Sequence, residues 1–384
     1  MPGEVESGYY KVRGPGLVEP LEGAVEALGA RVSGRLVVPA GRTLLVRVDG
    51  RAMLRGSSVE AGSGEEYDRL DGLAREAARK GRVILVGPSD AGKSTLTAWI
   101  ANRMGSGKIL TLDVGQNELF APGFAAAAWI EPPVVPGVSP PGRRVEPCFV
   151  GVFSPARDVS RYLYCAAKLS RGSEGLVVDT DGWVEVWDGL TSKAAVTLAT
   201  GARLILAIGL GRGRARMLED STGVEVISLE RLARSSKSGE ERRLHRDRLL
   251  SQRLAGARER PVRRDETIIE GLPLFAGDPL PVEAVRSAVP GAIYAEKLDG
   301  RVVVVVNRRP PRVASKSIRV VALHSLEGLI AAVHYRGVIE PAIVSRVNVR
   351  SGVVSVYTKM EGVDKLEIGR DRVDIDSVLG RAKW

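Results

Sequence analysis

The sequence predicts an α/β protein in which a central domain with a parallel sheet lies between a small N-terminal β domain and a C-terminal β-rich domain. Three observations favour this fold class. A chain of 384 residues with 44% hydrophobic content can build more than one core. Short apolar runs alternate with helical stretches in the middle of the chain, and β-branched runs punctuated by Gly and Pro occupy both ends. The predicted domains span residues 1–75, 76–265 and 266–384.

The N-terminal part has the pattern of antiparallel strands. Residues 9–60 carry short β-branched runs between Gly and Pro residues, as in 35–38 and 43–48. The apolar pattern lapses at 62–66 and resumes at 67–80 with the spacing of a helix. We therefore expect the first β domain to end in this region.

The central part has the order of strands and helices that is typical of a parallel sheet. The predicted strands are 83–86, 109–112, 176–178 and 204–208, the predicted helices are 94–104 and 159–169, and a Pro-rich loop covers 131–147. Beyond Pro261 the strand-like segments are 301–306, 317–322 and 353–357. These last segments predict the C-terminal β-rich domain.

Composition narrows the class of protein. No run approaches the roughly 18 to 20 apolar residues of a membrane span, and the N-terminus lacks the pattern of a secretory leader. We therefore expect a cytoplasmic protein with no membrane partner. Two cysteines, Cys148 and Cys165, are too few for a disulfide framework or a four-ligand zinc site, and we expect buried or neutral thiols. Only four Asn and two Gln suggest a thermophilic source.

One segment satisfies the pattern G-x-x-x-x-G-K-[ST], with an apolar strand before it and a helix after it. Its residues are Gly87, Pro88, Ser89, Asp90, Ala91, Gly92, Lys93 and Ser94, and Thr95 follows them. Glycines let such a loop curl around phosphates, Lys93 reaches the β- and γ-phosphates, and Ser94 can ligate Mg²⁺. The central domain is therefore predicted to be a P-loop NTPase domain that binds ATP and Mg²⁺.

An acid follows the next apolar strand. Asp113 lies directly after Leu110-Thr111-Leu112, where P-loop folds place a second carboxylate of the nucleotide site. Such a carboxylate holds a metal-bound water or accepts a proton from a hydroxyl nucleophile. The alternative is an Asp that caps the following turn. Its position after a P-loop favours the functional interpretation, so Asp113 is predicted to be catalytic and to act at the metal.

A third strand, 176–178, also runs into polar residues, the sequence Asp179-Thr180-Asp181-Gly182-Trp183. Open α/β sheets bind ligands at this edge of their strands. Trp183 fits two roles, because a Trp at this edge can stack on an unpaired base or can pack in the core. Composition alone leaves both roles open.

The net charge of +10 favours an anionic partner. Residues 231–264 hold twelve Lys or Arg against four acids, a net charge of +8. A charge run of this kind is often no more than a solvated helix. Its position after a P-loop also fits a lid, over about 231–255, that closes on a polyanion.

Together these segments resemble the Clp/Grc-type polynucleotide 5′-hydroxyl kinases, and an archaeal-type member among them. The matching segments are the P-loop in its Gly-Pro-Ser-Asp-Ala-Gly-Lys-Ser-Thr form, Leu112 to Gln116, Phe149-Val150-Gly151 with Ser154-Pro155, Val178 to Trp183, and the Arg-rich lid. The resemblance covers residues 82–255 clearly and the flanking β domains only in architecture. It implies transfer of the γ-phosphate of ATP, or of another NTP, to the 5′-OH end of RNA and, as in archaeal-type members, also of DNA.

The resemblance also implies roles for residues at the ends of the central strands. Asp113 would activate the 5′-hydroxyl, and Gln116 would lie beside the end of the substrate. Thr180 would belong to a clasp near the transferring phosphate, and Trp183 would pack on the terminal base. After Trp183 the family usually has a Gly-rich turn, whereas this chain has Val184-Glu185-Val186-Trp187.

In the lid, Arg242 and Arg246 resemble the family's pair of arginines and lie four residues apart on one helical face. Arg234, Arg243 and Arg248 are alternatives for these roles. Two guanidinium groups on one face would neutralise charge in the transition state. The aromatic pair that often ends this helix in the family is replaced by Leu254-Ala255.

Three functions follow as hypotheses. The first is an ATP- and Mg²⁺-dependent kinase acting on single-stranded RNA or DNA 5′ ends, with RNA-processing proteins as further partners. The second is a non-catalytic, ATP-binding scaffold in an RNA-processing complex. The third is a GTPase or ATPase switch, which the absence of an N-K-x-D segment disfavours. The presence of Lys93, Asp113 and an Arg-rich lid favours the kinase.

Overall fold

The computed structural model describes residues 3–136, 145–185, 187–232, 238–307, 311, 313 and 315–380. The chain divides into two compact units. Unit 1 comprises Met1–Phe120, Phe124–Cys148 and Ser154–Ser238, and unit 2 comprises Ala121–Gly123, Phe149–Phe153 and Gly239–Trp384. Among the described residues, no helix is long and apolar enough to cross a bilayer.

The N-terminal sheet of unit 1 has seven strands. They are β1 (Gly3–Val5), β2 (Gly8–Arg13), β3 (Gly16–Ala27), β4 (Ala30–Arg31), β5 (Leu36–Val38), β6 (Thr43–Arg55) and β7 (Ser58–Ala61). The main order is β4-β3-β6-β2-β7, and β3 pairs with β6 antiparallel. Leu44, Val46 and Val48 alternate with more exposed neighbours and are buried, since successive side chains of a strand face opposite ways. The predicted antiparallel strands of this region are confirmed.

The central sheet of unit 1 also has seven strands. They are β8 (Arg82–Val86), β9 (Lys108–Thr111), β10 (Phe124–Trp129), β11 (Val145–Phe149), β12 (Leu176–Asp179), β13 (Leu204–Ile208) and β14 (Glu225–Leu229), in the order β11-β10-β9-β12-β8-β13-β14. Neighbouring strands pair in parallel from β9 through β12, β8 and β13 to β14, and β10 is antiparallel to β9. The four strands predicted here are confirmed, and their carboxyl ends lie at one edge.

In the described part of unit 1, the helices that accompany these sheets are α1 (Gly64–Lys80), α2 (Lys93–Met104), α3 (Val159–Leu169), α4 (Trp187–Thr200) and α5 (Arg212–Thr222). Helix α1 begins after Ser63, whose hydroxyl accepts the Glu66 N–H. Its Tyr67 ring packs on Trp99 of α2, with ring centroids 5.0 Å apart. The N-terminal sheet and the central sheet therefore share one core. The predicted domain limit at residue 75 falls inside α1.

Two predictions for unit 1 are wrong. Residues 145–147, predicted to end a loop, begin strand β11, and the predicted loop residues 137–144 lie outside the described part of the chain. Cys148 and Cys165, predicted to be thiols, form a disulfide with their Cα atoms 5.6 Å apart. The reason is tertiary: Cys148 lies on β11 and Cys165 on α3, and the fold brings these elements together.

Unit 2 holds two sheets. Its strands are β15 (Arg258–Arg263), β16 (Ile268–Glu270), β17 (Asp278–Pro279), β18 (Ala292–Leu298), β19 (Arg301–Val306), β20 (Ile318–Ala322), β21 (Leu329–Tyr335), β22 (Val338–Asn348), β23 (Val353–Thr358) and β24 (Lys365–Arg372). The orders are β15-β23-β22-β21-β24-β16 and β17-β18-β19-β20. The three strands predicted in this region are confirmed.

Helix α6 (Gly239–Leu254), which lies in the basic segment 231–264, belongs to unit 2. The other helices described in this unit are α7 (Glu283–Arg286) and α8 (Ile375–Leu379). Leu250 and Leu254 of α6 are buried, and Arg253 pairs with Glu340 of β22 at 2.7 Å. These contacts explain why α6 groups with the C-terminal sheets and not with the P-loop unit. The three-part division of the chain stays a prediction, and residues 233–237 of the predicted lid lie outside the described residues.

Candidate nucleotide-binding site

The P-loop connects β8, a strand inside the central sheet, to α2. Gly92 has a φ of 96°, a conformation that favours glycine, and an added Cβ would lie 2.7 Å from the Cβ of Leu232. Gly92 is also the N-cap of α2, which has no side-chain cap bond. The first N–H groups of α2 are therefore suited to an anion, because a helix N-terminus leaves such donors unpaired and attracts negative charge.

Lys93 begins α2 and is buried. Its ammonium group donates to the backbone oxygens of Gly87 and Pro88, at 2.9 and 2.8 Å. The lysine thus folds back over the loop that carries it. Phosphate oxygens bound in this loop would accept the Lys93 N–H groups in place of these backbone oxygens. Contact with the β- and γ-phosphates is the role predicted for Lys93.

Ser94, the second polar residue of α2, contacts the next strand of the sheet. Its hydroxyl donates to Oδ2 of Asp179 at 2.7 Å, and Asp179 is the last residue of β12. The other oxygen, Oδ1, is buried and has no hydrogen-bond partner among the described residues. Burial raises the pKa of Asp179, and Lys93 and Ser94 oppose the rise. Sequence reasoning assigned no role to Asp179.

The pair of Ser94 and Asp179 fits a magnesium ion. A hydroxyl and a carboxylate with an unpaired oxygen are hard ligands of the kind that Mg²⁺ prefers. The described residues contain no group of three or more His, Cys, Asp or Glu that could hold a metal ion. A cation held here would complete its coordination with water and phosphate oxygens, which is usual for Mg²⁺.

Asp113 follows β9 and is half-buried. Its Oδ1 accepts the N–H groups of Gly115 and Gln116, both at 3.1 Å, so the carboxylate does cap the following turn. Burial, reinforced by the negative charges of Asp181 and Asp179, raises the pKa of Asp113 to about 6, and Lys93 opposes this rise. The turn fixes one carboxylate oxygen in place, and the raised pKa gives the group the basicity that a general base needs near neutral pH.

Gln116 lies in the same turn, where its backbone N–H donates to Asp113. The predicted position beside the end of a substrate stays a prediction. Thr180 is buried, and its hydroxyl donates to the backbone oxygen of Leu85 at 2.7 Å. This bond ties the residue after β12 to the strand that precedes the P-loop. In this structure the Thr180 hydroxyl therefore joins two strands, and its predicted place in a phosphate clasp is untested.

Trp183 is half-buried, and the residue before it, Gly182, lies close to the P-loop. An added Cβ on Gly182 would lie 2.1 Å from the Ser89 hydroxyl, so the segment before Trp183 packs directly on the P-loop. A Cβ added to Gly189 of α4 would lie 3.3 Å from Cδ1 of Trp183, which places part of the indole against that helix. Trp183 thus has a packed part and an exposed part, and both of its predicted roles stay predictions.

Three buried side chains that sequence reasoning missed meet beside this segment. Asp181 accepts the Tyr162 hydroxyl and the Lys193 ammonium group on Oδ2, each at 2.5 Å. Lys193 has no exposed surface, and burial lowers its pKa although Asp181 raises it. The only sequence signal was a lysine among the small and apolar residues of 189–197.

Arg42 is a further residue that sequence reasoning missed. It follows β5 in the N-terminal sheet and forms an ion pair with Glu118, which lies after β9. The positive charge of Arg42 lowers the pKa of Asp179, although burial dominates and raises it. Glu118 has the opposite effect on the same pKa, so the ion pair brings two opposed charges near Asp179, which no local pattern predicted.

The predicted lid arginines lie on α6 of unit 2. Arg246 is half-buried, with its guanidinium group over the Phe153 ring at 4.4 Å from the centroid, and burial lowers its pKa. Arg242 is also half-buried and lies one helical turn earlier. The P-loop belongs to unit 1 and α6 to unit 2, so closure of these arginines over a phosphate stays a prediction.

The fold and the site define a class. A loop of this pattern between a central parallel strand and a helix, with its lysine and serine in the positions described, is the phosphate site of P-loop nucleotide-binding proteins. Residues 87–254 match the family model of the P-loop of the mRNA cleavage and polyadenylation factor CLP1. Over these residues the chain is therefore similar to the Clp1 P-loop domain, and this similarity agrees with the predicted nucleotide binding.

Individual relatives agree with this assignment. The chain is 31% identical over 176 residues to Protein CLP1 homolog of Arabidopsis thaliana, a match covering 41% of this chain and 39% of that protein. It is 33% identical over 129 residues to Polyribonucleotide 5′-hydroxyl-kinase Clp1 of Xenopus tropicalis, a match covering 29% of each. These matches span well under half the length of the relatives.

Solved structures show the same fold. The chain is similar to the structure of the wild-type Clp1p–Pcf11p complex with a TM-score of 0.62 and 13% identity, covering 97% of each chain. A second structure, of the extended interface between Pcf11p and Clp1p and the basis of ATP loss in a point mutant, gives a TM-score of 0.61 and 13% identity, covering 97% of this chain and 98% of that chain. At this identity the likeness concerns the fold alone.

Proposed function

We propose that this protein is an ATP-dependent polynucleotide 5′-hydroxyl kinase that acts on single-stranded RNA ends and also on DNA ends. The observation that carries the proposal is the position of Asp113. It directly follows Leu112, whose N–H donates to the backbone oxygen of Asp179 at 2.8 Å, and the Asp179 carboxylate accepts the hydroxyl of the P-loop Ser94. A base beside the phosphate loop suits a hydroxyl acceptor. The name of the Xenopus relative supports the same activity.

The transfer would proceed by in-line displacement. The acceptor 5′-hydroxyl loses its proton to Asp113 and its oxygen bonds to the γ-phosphorus of ATP, while the bond from that phosphorus to the β-γ bridging oxygen breaks and ADP leaves. Lys93 donates to the β- and γ-phosphate oxygens. Ser94 and Asp179 would hold Mg²⁺, which supplies charge neutralisation at the phosphates when it is bound. Asp113 is the base in this scheme. In place of the predicted direct role at the metal, it would contact only a metal-bound water.

The lid and the acceptor residues complete the proposal. Trp183 would stack on the terminal base and Gln116 would lie beside it. Thr180 would act through the strands that it joins. Arg242 and Arg246 would neutralise charge in the transition state, as arginines do in other phosphoryl transfers. A cytoplasmic location and a thermophilic source remain expectations from composition.

The test is transfer of labelled γ-phosphate from ATP and Mg²⁺ to 5′-hydroxyl oligonucleotides, RNA and DNA side by side, with free ATP hydrolysis measured in parallel. Lys93→Ala should abolish transfer and leave the fold intact, because among the described residues its ammonium group donates hydrogen bonds only to the carbonyl oxygens of Gly87 and Pro88. Asp188→Asn is the matched control, because Asp188 is an exposed acid at the start of α4. Equal transfer by wild type and Lys93→Ala would refute the site.

A second function, an ATP-binding scaffold in an RNA-processing complex, is favoured by one observation. Both similar structures contain Clp1p with Pcf11p. A scaffold would bind ATP without transferring or hydrolysing its phosphate. The same assay separates the two functions, because tight ATP binding without labelled product from any 5′-hydroxyl end favours the scaffold.

A further inference from the structure

Asp181 is the meeting point of three donors. Its Oδ2 accepts the Tyr162 hydroxyl and the Lys193 ammonium group, and its Oδ1 accepts the backbone N–H of Trp183 at 2.8 Å. Asp181 is 5% exposed, and Lys193 and Tyr162 are completely buried. The Lys193 ammonium group also lies over the Tyr162 ring, 5.4 Å from its centroid. Both carboxylate oxygens are therefore held, and one of them holds Trp183.

Stability alone does not account for this arrangement. Taking a lysine and an aspartate out of water costs free energy that their attraction only repays when the geometry is good, and apolar replacements of similar volume are often as stable. The other contacts of residues 180–183 fix where this segment lies relative to the P-loop. Thr180 is tied to the strand before the P-loop, and Gly182 is pressed against Ser89 of the P-loop.

The segment 180–183 is thus fixed from three sides: by α3 through Tyr162, by α4 through Lys193, and by β8 with the P-loop. Its only large side chain with exposed surface is Trp183. A stacking residue must be held in one orientation to contribute, because each rotamer left open weakens the contact. The hydrogen bond from the Trp183 N–H to Asp181 fixes the backbone of Trp183, and the bonds from Tyr162 and Lys193 hold Asp181 in place.

We propose that Lys193 and Tyr162 are positioning residues that act through Asp181 to hold Trp183 against the first base of a single-stranded 5′-hydroxyl end. This inference rests on the proposed function, since it names the part of the acceptor that the segment 180–183 recognises. The recognised group is the π-face of the 5′-terminal base, which is common to all four bases.

The experiment compares two acceptors, an oligonucleotide with an intact 5′-terminal base and one whose first residue is abasic. Wild type should bind the intact end about 5- to 150-fold more tightly, and Trp183→Ala should remove this preference. Lys193→Met should lose most of the same preference while Kd for ATP stays unchanged. In the Trp183→Ala background, Lys193→Met should then cause no further loss, because both changes act on one contact.

A matched control is available in the same sheet. Lys108 is also buried, pairs with Glu146 at 2.9 Å, and lies 5.0 Å from the centroid of the Trp129 ring. It begins β9, at the opposite edge from the P-loop. Lys108→Met should therefore lower stability as Lys193→Met does and should keep the full preference for the intact end.

Lys193→Met leaves a buried carboxylate short of its cation, so it is paired with a milder variant. Tyr162→Phe removes one hydroxyl and keeps the ion pair, and it should reduce the preference in the same direction by roughly two- to fivefold. If both variants lower the melting temperature but keep the wild-type preference, Lys193 and Tyr162 are structural and the inference is wrong. A wild-type protein that binds both ends equally also overturns it.

The failure of the proposed function would look different. If wild type transferred no phosphate but bound the intact end more tightly, and Lys193→Met and Tyr162→Phe reduced that preference, the positioning role would stand and the kinase activity would not. Binding is measured by titration with a fluorescent oligonucleotide and needs no turnover. The two proposals can therefore fail separately.

Discussion

Replacing Asp113 with Asn should remove the base and at the same time stabilise the fold. The pKa of Asp113 is raised from 3.8 to about 6, first by burial and then by the charges of Asp181 and Asp179. A carboxyl group whose pKa is higher in the folded state than in the unfolded state destabilises the folded state when it is ionised. The shift corresponds to about 3 kcal/mol at neutral pH. Asn keeps the oxygen that accepts the Gly115 and Gln116 N–H groups.

The sign of the pH dependence follows from the same shift. At pH 7 to 8 the carboxylate is ionised in both states, so Asp113→Asn should raise the free energy of unfolding by up to about 3 kcal/mol. The difference should shrink as the pH falls through about 6 and vanish near 4, where the unfolded carboxyl is also becoming protonated. Urea denaturation at a series of pH values measures it directly.

Kinase activity should fall in Asp113→Asn although the stability of the variant rises. Wild-type kcat/KM should fall tenfold per pH unit below about pH 6, because only the ionised carboxylate accepts the proton of the 5′-hydroxyl. Asp113→Asn should lower transfer by about 10²- to 10⁴-fold with little change in ATP affinity. If Asp113→Asn were less stable than wild type at pH 8 and wild type showed no acid limb, the reasoning about burial and like charge would be refuted. A parallel fall in ATP affinity would instead assign Asp113 to metal binding.

Three further predictions concern the metal, the disulfide and the lid. Asp179→Asn should raise the Mg²⁺ concentration needed for half-maximal transfer while metal-free ATP binding changes little, because the substitution removes the charge beside Ser94. Replacing Cys148 and Cys165 with Ala should lower the free energy of unfolding by roughly 3 kcal/mol, the loop-entropy value for a separation of 17 residues, and reductant should have no effect on the variant. Arg246→Ala should lower kcat without changing the salt dependence of oligonucleotide binding, whereas an electrostatic patch would change the salt dependence and spare kcat.

The P-loop was predictable because its chemistry is local. Eight consecutive residues, with an apolar strand before them and a helix after them, suffice to define it, and β8 and α2 lie where the pattern predicts them. The central strands were predictable for the same reason, since each is a short apolar run. Strand β10 was missed because Phe124–Trp129 is largely alanine, which has little preference for strands.

The residues that complete the site were not predictable, because they are distant in sequence. The bond between Ser94 and Asp179 spans 85 residues, and the pair of Arg42 and Glu118 spans 76. The order of strands in the central sheet, with β12 between β9 and β8, brings Asp179 beside the P-loop. The two cysteines show the same limit, since their separation in sequence gave no indication that β11 and α3 are neighbours.

The sequence predicted that Asp113 is the base, and in the structure the acids at the ends of β9 and β12 differ in their hydrogen-bond donors. Asp179 accepts the Ser94 hydroxyl, and Asp181 accepts the Lys193 ammonium group and the Tyr162 hydroxyl. In the part of the chain that the structure describes, Asp113 accepts only backbone N–H groups. Burial, followed by the negative charges of Asp181 and Asp179, raises the pKa of Asp113 to about 6. The two acids whose charges raise the pKa of Asp113, the proposed base, therefore have donors of their own, one at the P-loop and one at the segment that carries Trp183.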